Sequence, residues 1–112
     1  MNLHQVEHDI FVTGQIRVSD LNALARNGIR TVVNNRPNHE SFDQPTSDEL
    51  AAAAAEIGLE YLYFPVLSGG ITAANVTEFA KLRGGLEAPL LLFCRSGARS
   101  AKLWELSGGF SE

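Results

Sequence analysis

The chain has 112 residues, 45% of them hydrophobic, which is the length of one domain able to bury a core without disulfides or a structural metal. Its formal charge of −4 comes from scattered acids and bases, with no basic block of the kind that binds nucleic acid. A lone cysteine excludes an internal disulfide, and no apolar run approaches the roughly 20 residues of a membrane span. The polar opening MNLHQVEHDI does not resemble a signal peptide. The expectation is a single domain over 1–112, soluble and cytoplasmic, in a compartment where a thiol stays reduced.

In chain order, DIFVTGQI predicts a short strand over 9–12 that ends at Gly14. SDLNALARNG predicts a helix with Ser19 as N-cap, Leu21, Leu24 and Ala25 on one face and Gly28 as the stop. IRTVVNN is β-branched and apolar, hence a buried strand, and it opens at Asn34 into the polar segment NRPNHESFDQP. Thr46 and Glu49 have capping-box spacing before the alanine-rich helix, which stops near Gly58. LEYLYFPV is the next strand, closed by Pro65. The alternation of Tyr61 and Tyr63 with Leu62 and Phe64 predicts burial on both faces, with phenol tips at the strand's edges.

After SGG, Thr72 caps a helix carrying Val76, Phe79, Ala80 and Leu82, ended by Gly84 and Gly85. PLLLF is the continuous apolar run of a central parallel strand. Residues 100–106 form the last helix, with Ala101 and Trp104 turned inward. Strands alternating with helices predict an α/β fold, a mainly parallel sheet of four or five strands flanked by helices. Function then belongs at the strands' carboxyl ends, in loops 34–45, 65–72 and 94–99.

Any thiol chemistry must reside in LLFCRSGARS, which holds the only cysteine. If a strand ends at Phe93 and a helix follows, the loop between wraps a helix amino terminus, where backbone N–H groups lack partners and the macrodipole is positive. Gly97 lets the chain curl. The dipole and the flanking Arg95 and Arg99 favour a thiolate at Cys94. Arg99 is suited to a two-bond grip on an oxyanion, and Ser100 to donating a hydrogen bond to the thiolate or a leaving sulfur. The competing reading is a cysteine that serves as a small buried hydrophobe. Two arginines beside it would then lack the anion that offsets their burial.

At the end of IRTVVNN, Arg36 reads either as an anion-recognition group or as part of a turn. In the second case Asn34 and Asn35 bond the loop backbone and Pro37 stiffens it. His39 reads as an acid or base, or as a solvent-facing loop residue. His4 and His8 have no partner at metal-site spacing, the chain has no zinc pattern, and nothing calls for a cofactor.

The segments TGQIRVSDLNALARNGIRTVVNNRP, QPTSDELAAAAAEIGLEYLYFPV, GGIT and CRSGARS, spanning about 13–106, carry a resemblance. The chain is similar to the phosphatase-like domains first described at the front of beta-lactamase hydrolase-like proteins, whose fold resembles dual-specificity and tyrosine phosphatases. The resemblance implies that Cys94 is the nucleophile and Arg99 the phosphate clamp, with Ser96, Gly97 and Ala98 offering backbone N–H groups. Candidate substrate contacts are Asn35, Arg36 and His39.

Tyrosine phosphatases place one more residue between cysteine and arginine than the four found here, and usually a histidine where this chain has Phe93. Dual-specificity phosphatases draw a general-acid aspartate from the loop that here reads LSGGITAANV, without a carboxylate; Asp43, Glu40 and His39 are the substitutes on offer. The shorter loop resembles that of rhodanese sulfurtransferases.

The favoured expectation is therefore cysteine-dependent group transfer through a persulfide on Cys94, since thiolate leaving groups need no strong acid. Phosphomonoester hydrolysis through a phosphocysteine is the alternative, and an anion- or partner-binding module without turnover a third. The substrate is a small anion or persulfide. After KLWEL the sequence offers only SGGFSE where phosphatase-like folds continue with helix. A homodimer or, by resemblance, a fused metallo-hydrolase domain is the expected cover for that face.

Overall fold

The structure, a computed structural model, describes residues 2–108, so residue 1 and residues 109–112 of the terminal SGGFSE lie outside the described residues. It opens with a hairpin in which β1 (His4–Glu7) runs antiparallel to β2 (Ile10–Thr13) across residues 8 and 9. A 3-10 turn at Val18–Asp20 leads into α1 (Leu21–Arg26), and β3 (Thr31–Asn34) follows. Then come α2 (Ser47–Glu56), β4 (Glu60–Tyr63), α3 (Ala73–Arg83), β5 (Leu90–Phe93) and α4 (Ala98–Leu106).

The five strands form one sheet in the order β1-β2-β5-β3-β4, parallel throughout except for β1. The polar β1 is the strand that composition hid, because an edge strand needs no apolar run. β5 is central and fully buried because both its neighbours run parallel to it and helices cover both faces.

Side chains alternate across the sheet with period two, and β5 divides the core accordingly. Leu90 and Leu92 join Val33, Phe79, Leu103 and Trp104 on the face covered by α3 and α4. Leu91 and Phe93 join Val32, Leu21, Leu24, Leu50 and Ala54 on the face covered by α1 and α2. Phe79, with no exposed surface, packs between Phe64 (ring centroids 5.1 Å apart) and Trp104 (6.4 Å, edge-on). Burying such a ring stabilises the fold by about 1.5–3 kcal/mol.

Trp104 also ties elements together. Its indole N–H donates to Glu7 Oε1 at 3.0 Å, and the Arg83 guanidinium lies 3.3 Å from the ring centroid while donating to the Trp104 carbonyl. Burial pulls the Arg83 pKa down from its ordinary value, against the charge of Glu7. Trp104 is thus a core residue, as expected.

The capping box expected at Thr46 forms, and the expected cap at Thr72 proves to be a second box. Thr46 Oγ1 accepts from Glu49 N at 3.2 Å and Thr72 Oγ1 accepts from Asn75 N at 3.0 Å. Three local expectations fail. Ser19 is no N-cap: it lies inside the 3-10 turn, closed by the Arg17 N–H donating to Asp20 Oδ2 at 2.8 Å. β4 is not buried on both faces, because it is an edge strand with Glu60 and Tyr63 exposed. The last helix starts at Ala98, not at 100, which places Arg99 and Ser100 in its first turn. No described helix is long and apolar enough to cross a membrane.

Candidate active site

The carboxyl end of β5 delivers Cys94 into the loop before α4, and that loop is pressed against the end of β2. Cys94 N donates to the Thr13 carbonyl at 3.4 Å, and Gln15 N donates to the Arg95 carbonyl at 3.3 Å. Two glycines permit the approach. A Cβ on Gly14 would stand 2.9 Å from the Arg95 carbonyl oxygen. Gly97 has φ +97°, a left-handed conformation, and its Cβ would stand 3.2 Å from the Thr13 carbonyl carbon.

Cys94 has no exposed surface, and its Sγ accepts the Gly97 N–H at 3.0 Å. That contact holds the sulfur at the amino-terminal end of α4, where amides have no helical partners. The Ala98 N–H is engaged by Ser96 Oγ at 3.3 Å, so of the three amides expected to cradle an anion, that of Gly97 faces the sulfur and that of Ala98 is internally bonded.

Arg99 turns inward. Its side chain is 9% exposed and grips Glu40 with two hydrogen bonds, Nη1 to Oε2 at 2.9 Å and Nη2 to Oε1 at 3.2 Å, while Nη1 also donates to the Val66 carbonyl at 3.0 Å. Arg36, 5% exposed, donates Nε to the same Glu40 at 3.0 Å and Nη1 to Gln15 Oε1 at 2.9 Å. Burial alone raises the Glu40 pKa. The hydrogen bonds and charges of Arg99 and then Arg36 outweigh it, and the carboxyl lies below its ordinary range.

Asp43 is lowered too, chiefly by the hydrogen bond from Ser41. Both shifts favour the charged carboxylate, the form that accepts rather than donates a proton. His39 is exposed, with φ +67°.

Ser100 does not serve the sulfur. Its Oγ–H donates to Asn35 Oδ1 at 2.8 Å, and Asn35 Nδ2 donates to the Phe64 carbonyl at 2.8 Å, so the pair joins α4, the end of β3 and the end of β4. The polar atoms of Ser100 and Asn35 are thus engaged with each other and with the Phe64 carbonyl, and Asn34 Oδ1 likewise accepts the Arg36 N–H at 2.8 Å. Burial raises the Tyr61 hydroxyl pKa, opposed by its bonds to Ser47 and Asn34, which close the underside of this corner.

Outside the loop lies a groove of about 490 Å³ lined by Ser68, Gly69, Ile71, Arg95, Ser96, Ala98, Arg99, Lys102 and Leu106. Arg95 and Lys102 are exposed, and neither has an acidic partner among the described residues. Lys102 follows Ala98 by one turn of α4, which brings both to the groove. Gln15 and the Glu40 bridge left no local signal. Among the described residues no group of His, Cys, Asp and Glu could hold a metal ion.

A parallel sheet whose central strand feeds a cysteine into a glycine-bearing loop, closed by an arginine in the first turn of the next helix, is the frame of dual-specificity- and tyrosine-phosphatase-like proteins. Within that class the chain belongs to the family of beta-lactamase hydrolase-like protein, phosphatase-like domain, which matches residues 2–110.

A beta-lactamase hydrolase-like protein of Xylella fastidiosa is 33% identical over 107 residues, 96% of this chain; the chain spans 25% of that relative's length. A crystal structure from Neisseria meningitidis, described as a candidate phosphatase, superposes with a TM-score of 0.81 at 29% identity, covering 89% of this chain and 71% of that one. The core catalytic domain of a PP-IP phosphatase from S. cerevisiae shares the fold at 12% identity, with a TM-score of 0.64 over 100% of this chain and 79% of that one.

Proposed function

We propose that the domain is a cysteine-dependent sulfane-sulfur transferase. The Cys94 thiolate attacks the outer sulfur of thiosulfate or of a low-molecular-weight persulfide, and a new S–S bond forms on Cys94. The old bond breaks, with its electron pair leaving on sulfite or on the donor thiolate. An acceptor thiolate then attacks the same sulfur, and Cys94 departs as thiolate. Sulfur moves between thiols with no net oxidation, so no redox partner is called for.

The observation that carries this reading is the state of the carboxylates. Loop 65–72 has none, and Glu40 accepts three hydrogen bonds from Arg99 and Arg36, which favour its charged form over a proton-donating one. An alkoxide leaving group without a proton donor forgoes about 10²–10⁴-fold in rate, whereas a thiolate leaves unaided near neutral pH. The spacing of four residues between Cys94 and Arg99 agrees, because a persulfide needs room for only one added sulfur.

In this reading Cys94 is the nucleophile, Arg99, Arg95, Arg36 and the amide of Ser96 hold the anionic donor, and the Gly97 amide stays on the sulfur itself. The domain acts in a reducing compartment such as the cytoplasm. The chain spans 25% of the length of its Xylella relative, and a fused metallo-hydrolase domain is the partner this reading proposes for the remainder. Mass spectrometry of the intact protein after thiosulfate treatment should show the gain of one sulfur atom, abolished by Cys94→Ser; an unmodified wild type refutes the reading.

The family and its candidate-phosphatase neighbour favour a second reading, phosphomonoester hydrolysis through a phosphocysteine. Hydrolysis of an aryl phosphate that Cys94→Ser abolishes, in a protein that takes up no sulfur, would establish it instead. If neither reaction occurs while sulfate binding depends on Arg99, the domain is a binding module.

A further inference from the structure

The candidate site already holds an anion, and that anion is the chain's own. Three N–H donors converge on the carboxylate of Glu40: Arg99 Nη1 at 2.9 Å, Arg99 Nη2 at 3.2 Å and Arg36 Nε at 3.0 Å. Two of the three share Oε1, because a carboxylate has only two oxygens to offer. The guanidinium groups are the buried partners, at 9% and 5% exposure, and Glu40 is the outer one at 23%. Unpaired, two such buried cations would be costly, so the site needs some anion at all times.

Glu40 is the more exposed member of the cluster. The loop that carries it is fastened on either side. The Asn38 N–H donates to the Tyr63 hydroxyl at 2.9 Å, and Gln44 Nε2 donates to the Pro37 carbonyl at 3.0 Å. Rotation of the Glu40 side chain into water therefore requires no refolding of the loop.

We infer that Glu40 is an internal ligand which an incoming oxyanion displaces from Arg36 and Arg99, and that this exchange determines which anions the site admits. A tetrahedral oxyanion such as thiosulfate, sulfate or phosphate presents three oxygens on one face, one for each donor, which a carboxylate cannot match. A small carboxylate such as acetate reproduces only what Glu40 provides, and Glu40 competes from the high effective concentration of a tethered group. Glu40 thus selects for three-oxygen faces. The inference rests on the anion-binding half of the reading above and not on its sulfur chemistry.

Calorimetric titration with sulfate and with acetate tests it, on the wild type, Glu40→Gln and Glu40→Ala. Both variants should bind sulfate on the order of tenfold more tightly than the wild type. Acetate should bind and thermally stabilise Glu40→Ala and leave the wild type unaffected. In the wild type, sulfate should shift the backbone amide resonances of residues 39–41, a readout that stands even where a variant fails to fold. Folded variants that bind sulfate no better than the wild type overturn the inference and make Glu40 a strut for Arg99; so do unmoved 39–41 resonances at saturating sulfate. Absence of persulfide chemistry with these binding results intact removes the sulfur reading alone.

Discussion

Ser100→Ala separates support of the active loop from participation in its chemistry. Ser100 and Asn35 both have no exposed surface, and their 2.8 Å hydrogen bond is the one Ser100 Oγ makes. Removing the hydroxyl leaves Asn35 Oδ1 buried and without a donor, a loss of about 1–3 kcal/mol. For a domain of this size that corresponds to a fall in melting temperature of about 5–15 °C.

Asn35 also holds the Phe64 carbonyl, so Asn35→Ala should cost more. The double variant should lose less than the sum of the two single losses, since both remove the same bond. Urea unfolding measures the stability, and mass-spectrometric sulfur uptake well below the melting temperature measures the chemistry. On the proposed sulfur-transfer reading, the folded fraction of Ser100→Ala should take up sulfur at the wild-type rate. Unchanged stability with a reduced rate would refute the reasoning and return Ser100 to the reacting sulfur.

Gly97→Ala should destabilise the domain by about 1–3 kcal/mol, because an L side chain at φ +97° is strained and its Cβ meets the Thr13 backbone. It should also slow sulfur uptake by shifting the amide that faces Cys94. A variant matching the wild type in urea midpoint and uptake rate contradicts this. Glu40 has a depressed pKa in the folded state, so its contribution is fully present above the ordinary carboxyl value of 4.5 and is lost as pH falls through the folded value. Glu40→Gln should accordingly be less stable than the wild type at neutral pH, and the two should converge as the solution is acidified. A stability difference that stays constant with pH would exclude this linkage.

Features that depend on neighbours along the chain are legible in its order of residues. Thr46 with Glu49, Thr72 ahead of its helix, the β-branched run before Asn34 and the all-apolar run ending at Phe93 each select one local structure. Alternating strands and helices then leave a parallel sheet as the way to bury both sets of apolar faces, and the Cys94 loop falls at its carboxyl edge.

Which groups meet across that edge depends on the packed fold. Glu40 reaches Arg99, Asn35 takes the Ser100 hydroxyl and Gly14 admits the Arg95 carbonyl, each pairing residues far apart in sequence. No local pattern encodes such contacts. A hydrogen-bonding side chain takes whichever partner the packed core brings within about 3 Å, and that choice is made only when the strands are in register.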